Sequence, residues 1–126
     1  MINGFENETA PLADWELDLI PRVAALLSTA YGKDKAVYNQ TILALCPELK
    51  SGARVRKVIN YIRTEGIVPC LIASSKGYFV AETELELLEY EDSLTNRATA
   101  IFEVRNKIAE QRRERFEPKQ LTLFDQ

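Results

Sequence analysis

Histidine is absent from the 126 residues of this chain, and with it the side chain that most often serves as a general base near neutral pH. Only two cysteines occur, Cys46 and Cys70, and neither belongs to a C-x-x-C pair. Without histidine they do not make up a structural zinc site. They read as free, core-filling thiols of a reducing cytoplasm, and nothing demands a disulfide between them. The five glycines are scattered at positions 4, 32, 52, 66 and 77, so there is no glycine-rich phosphate loop. No apolar run approaches the ~20 residues of a membrane span. The opening stretch MINGFENETAP has neither a basic start nor an apolar segment, which predicts no secretory signal. Carboxylates are plentiful from Glu82 to Asp92, but they cluster where a solvated helix begins, not in a metal-binding pattern. Together these absences predict a cytoplasmic protein that is not an enzyme and carries no cofactor or metal.

What is present is enough for one small domain with an appended arm: 46% of the residues are apolar. The net charge of −3 is unevenly distributed. Residues 1–49 carry three Lys/Arg against seven Asp/Glu, and residues 82–126 carry seven against eleven. Between them, residues 50–81 hold Lys50, Arg54, Arg56, Lys57, Arg63 and Lys76 against Glu65 alone. A polyanion responds to such a local excess, because charges beyond a Debye length are largely screened.

Apolar residues from Leu12 to Leu27 recur at helical spacing. Asp14 or Thr9 can cap this helix and Gly32 can end it, while Pro21 must kink or split it. Val37 and Tyr38 suit a very short extended piece. Asn39 then caps a short helix stopped by Pro47. Ser51 caps the next helix, about Gly52 to Thr64, in which Val55, Val58, Ile59 and Ile62 form one buried stripe. IVPCLIA and GYFVA, separated by a short polar link, read as a hairpin, with Pro69 suiting an edge. Thr83 caps a long helix, expected over 83–116, whose early glutamates favour the positive end of its dipole. Leu87, Leu94, Ile101 and Ile108 repeat every seven residues, with Tyr90, Ala98 and Val104 between them. That spacing suits either a homodimer seam or a face packed on the same chain. The expected layout is a flexible segment at 1–11, a domain at 12–82, the long helix, and an extended tail at 117–126.

Helix, short strand, short helix, turn, basic helix and hairpin is the order of a winged helix-turn-helix. The expected class is α+β, mainly α, with a two-stranded wing and a long C-terminal helix. In that geometry the basic helix enters the DNA major groove. Its buried stripe leaves Ala53, Arg54, Arg56, Lys57, Asn60, Tyr61 and Arg63 on the outer arc. Arg56, Asn60 and Arg63 share a line at spacings of four and three. Arginine can grip guanine, asparagine adenine, and lysine or arginine phosphate. Behind the Ser51 cap, Gly52 puts little side chain between the helix N-terminus and a phosphate. Ser74, Ser75 and Lys76 sit at the expected hairpin tip, suited to the DNA backbone or a minor groove.

The stretch SGARVRKVINYIRTEGIVPCLIASSKGYFVAETELELLEY, about the middle third of the chain, resembles small winged-helix proteins encoded by phages and prophages. The resemblance implies DNA binding, with Arg54, Arg56, Lys57, Asn60 and Lys76 facing the DNA. Near the C-terminus, QLTLF is similar to the short peptide, Q-L-S/D-L-F, by which bacterial replication and repair proteins dock on the sliding clamp. Gln120, Leu121, Leu123 and Phe124 match it, while Thr122 departs mildly in the third position. The likeness implies an extended tail that places Leu123 and Phe124 in an apolar pocket of the clamp. The combined expectation is a DNA-binding accessory factor linked to phage or prophage replication. The rivals are a dimeric transcriptional regulator and a protein-interaction module that never touches DNA.

Overall fold

The structure is a computed structural model that describes residues 10–117. It is mainly helical (67%), with a two-stranded antiparallel sheet and a long C-terminal helix. The elements are α1 (Asp14–Leu17), α2 (Ile20–Ser28), α3 (Asn39–Leu45), α4 (Gly52–Thr64), β1 (Leu71–Ser74), β2 (Gly77–Val80) and α5 (Glu84–Phe116). The chain divides into two compact units, one ending at Leu87 and one beginning at Leu88. Among the described residues no helix is long and apolar enough to cross a membrane.

Pro21 splits the first helical pattern instead of kinking it: α1 stops at Leu17, and α2 begins with proline in its first turn, where a missing N–H costs nothing. Asp14 does not cap α1. The capping position is Ala13, whose N–H donates to Glu16 Oε1 at 2.9 Å. Asn39 is likewise inside α3 and not its cap, because its side-chain oxygen accepts from the Tyr78 hydroxyl. Ser51 does cap α4, its Oγ accepting from the Arg54 N–H at 3.2 Å. Thr83 caps α5 in the same way, Oγ1 accepting from the Glu86 N–H at 3.2 Å. The Glu86 carboxylate reaches back to the Glu82 and Thr83 N–H groups, completing the reciprocal pair.

The core lies between α2, α3, α4 and the hairpin. Val23, Leu27, Ile42, Val55, Val58 and Ile62 are fully buried there. All four residues of the expected α4 stripe are buried. Cys46 is buried in this core, and burial raises its thiol pKa against the opposing influence of Arg22. Cys70 is a free thiol too, but it is exposed and does not fill the core. Its positive φ of 63° places it in a turn immediately before β1, so Pro69 lies outside the strand.

Val37 forms the short extended piece. It exchanges two backbone hydrogen bonds with Tyr78, each 2.8 Å, and so adds an isolated bridge rung to β2. Gly77 permits this approach: its φ is +101°, and a Cβ built there would lie 2.7 Å from the Val37 carbonyl oxygen. Gly77→Ala is therefore expected to destabilise the N-terminal unit by roughly 2–3 kcal/mol, through the strained φ and the lost rung. Urea unfolding followed by far-UV circular dichroism will measure it, and a cost below about 0.5 kcal/mol would show that the contact is not needed.

Candidate nucleic-acid interface

Successive residues turn by about 100° around a helix, so Arg54 and Arg56 lie roughly 160° apart on α4. The buried stripe of Val55, Val58, Ile59 and Ile62 lies between the two flanks. The structure gives those flanks different surroundings.

On one flank, Arg54 is turned into the protein. Its Nε donates to Glu16 Oε2 at 2.8 Å, and a terminal nitrogen pairs with Glu16 Oε1. The other terminal nitrogen donates to the Ala10 carbonyl at 2.7 Å. The Arg54 and Glu16 side chains are only 11% and 3% exposed. Hydrogen bonding from Arg54 lowers the Glu16 pKa, overcoming the opposing effect of burial, and the Ala13 N–H adds to it. Arg54 therefore leaves the expected DNA-facing set. Forked onto a buried carboxylate and bonded to the Ala10 and Pro11 carbonyls, this guanidinium is turned away from solvent and from any phosphate there. Tyr61 is on the same flank, half-buried and packed against the core.

The other flank carries Arg56, Asn60 and Arg63. Arg63 donates to the Asn60 side-chain oxygen at 2.9 Å. The Arg56 guanidinium comes back toward the helix start, where a Cβ added to Gly52 would meet its terminal nitrogen at 3.4 Å and the Asn39 amide at 3.6 Å. The Tyr78 hydroxyl feels both cations. Its pKa is raised by burial, with the positive charges of Arg56 and Arg63 and the Asn39 hydrogen bond acting in opposition. Arg56 and Arg63 thus converge on the side of α4 that faces β2 and the start of α3. Both are ordinary van der Waals distances to flexible side-chain ends, so the arginine does not require glycine at position 52.

Lys57 is half-buried on the outermost arc of α4. Among the described residues neither it nor Arg56 has a carboxylate in ion-pair range. Ser75 and Lys76 form the exposed two-residue hairpin turn, in which the Ser74 hydroxyl accepts from the Lys76 N–H at 3.1 Å. Beside that turn, Tyr38, Asn39, Gln40, Ser75 and Tyr78 line an open groove. Tyr38 and Gln40 were not apparent as site residues in the sequence. They enter only because Val37 pairs with Tyr78 and brings the start of α3 beside the hairpin.

No family model, curated protein or solved structure matches this chain. Among the described residues there is also no group of three or more Cys, Asp or Glu side chains arranged to hold a metal ion. Gln120, Leu121, Leu123 and Phe124 lie outside the described residues.

Proposed function

We propose that the N-terminal unit is a winged-helix DNA-binding module, with α3 and α4 as the helix-turn-helix and β1–β2 as the wing. The carrying observation is the cationic flank of α4: Arg56 and Arg63 beside Asn60, next to the hairpin, with no carboxylate paired to Arg56 among the described residues. The short extended piece at Val37, joined to the hairpin, supports the same reading. The proposed contact set is Arg56, Lys57, Asn60, Arg63, Ser75 and Lys76, with Ser51 and Gly52 at the helix start and Arg54 excluded. Arg56 and Asn60 are the base-reading candidates, and Lys57 and Lys76 are phosphate contacts.

A gel-shift titration with random-sequence duplex at two salt concentrations tests this. Affinity should fall steeply as salt rises. Absence of binding at low salt, or binding indifferent to salt, would reject DNA contact and favour a module that docks on protein.

The tail extends the proposal to replication. QLTLF is read as a sliding-clamp peptide on sequence alone, and its role is to hold the DNA-binding unit near the clamp at raised effective concentration. Deleting residues 120–124 should abolish binding to immobilised bacterial sliding clamp while DNA affinity is unchanged. Equal clamp binding by the full and shortened chains would remove the replication assignment.

A further inference from the structure

Among the described residues of the unit beginning at Leu88, α5 buries Ala109 alone. Leu94 is 41% exposed, Ile101 69%, Val104 63% and Ile108 56%, and the first, second and fourth of these recur every seven residues. α5 runs 33 residues, about 50 Å at 1.5 Å per residue. An apolar seam of this length needs a partner, because helix stability in water comes mostly from packing the apolar face.

The charge along the helix identifies the partner. From Glu84 to Asp92 there are five carboxylates and no cation. From Arg105 to Arg115 there are five cations and two carboxylates. We propose that α5 pairs with α5 of a second copy of this chain in an antiparallel coiled coil. This does not depend on DNA binding.

The flanking positions decide the direction. With Leu87, Leu94, Ile101 and Ile108 as heptad positions a, a parallel pair sets each g residue against the e residue five places on in the other copy. Glu86 would then face Glu91, and Lys107 would face Arg112. Among the described residues every charged pair of that kind is of like sign. The antiparallel pair centred near residue 99 sets e against e. Glu84 then faces Arg112 and Glu91 faces Arg105, each twice by symmetry. Its one like-charge contact is Glu86 with Glu114 on the g side. Leu94 of one copy meets Val104 of the other, and Ile101 packs on the aliphatic stem of Arg97. Ala98 and Ala100 fall at the two-fold axis, where small side chains let the helices approach.

Two measurements on the full chain test the proposal. Sedimentation equilibrium at tens of micromolar should give twice the mass of 14.3 kDa, and a monomer would overturn it. Charge reversal then tests direction. Glu91→Arg and Arg105→Glu should each weaken self-association by about tenfold, because each turns two attractive pairs into two repulsive ones. The double reversal should restore it. In a parallel pair Glu91→Arg would instead strengthen association by relieving Glu86, and that result would overturn the antiparallel arrangement. A spin label on Arg113→Cys, with Cys70→Ser, supplies an independent readout that no loss of fold can imitate. The two labels should lie about 42 Å apart, which is 28 residues of helical rise. A separation near 20 Å would show a parallel pair.

Discussion

Glu16→Ala is expected to destabilise the N-terminal unit by roughly 3–5 kcal/mol, the usual cost of removing one member of a buried ion pair. The reason is the charge left behind. Arg54 would keep a guanidinium that is 11% exposed and has lost both carboxylate oxygens. Arg54→Ala should cost a similar amount, by stranding the Glu16 carboxylate. Replacing both with leucine should cost much less than the sum, since neither charge then remains unpaired. Urea unfolding of the three variants completes the cycle, and additive costs would show that the pair is not coupled.

The same pair sets a pH dependence. Its hydrogen bonds hold the folded Glu16 carboxyl below the ordinary glutamate value, so the unfolded chain takes up that proton first as pH falls. The contribution is fully present above about pH 4.3, the unfolded value. It is lost progressively as pH drops through the lower, folded value. Glu16→Gln should flatten stability in that acid range while leaving the profile above pH 5 parallel to wild type. An unchanged acid limb would show that Glu16 is not ionised in the fold.

Arg56→Ala with Arg63→Ala is expected to act in the opposite sense, with little effect on stability and a large effect on DNA affinity. Arg56 is exposed on the flank of α4 opposite Arg54. Each arginine lost from a base or phosphate contact should cost about 1–3 kcal/mol of binding, and the salt slope should fall by roughly 1 per phosphate contact removed. Arg54→Ala, measured where the protein remains folded, should leave that slope unchanged. The comparison matters because all three arginines lie within one helix. A slope that responds to Arg54 and not to Arg56 and Arg63 would place the interface on the wrong flank.

Local chemistry was legible in the residues. The α4 stripe, the caps at Ser51 and Thr83, the hairpin and the break at Pro21 all follow from neighbours a few positions apart. Arg56, Asn60 and Arg63 were legible for the same reason, since three- and four-residue spacing puts them on one line. Asn39 was misread because its side chain serves Tyr78, 39 residues away, instead of its own helix end.

What the sequence determined by itself is the order and type of the elements, where the positive charge gathers, and the opposed charge of the two ends of α5. Periodicity, capping and charge are written in short stretches of chain. Only the tertiary structure decided which cations remain available. Arg54 and Arg56 are alike in sequence, two residues apart. Burial of Glu16 against one flank of α4 takes the first into the interior and leaves the second beside the hairpin. A contact across 38 residues depends on how the elements pack, and no local pattern records it.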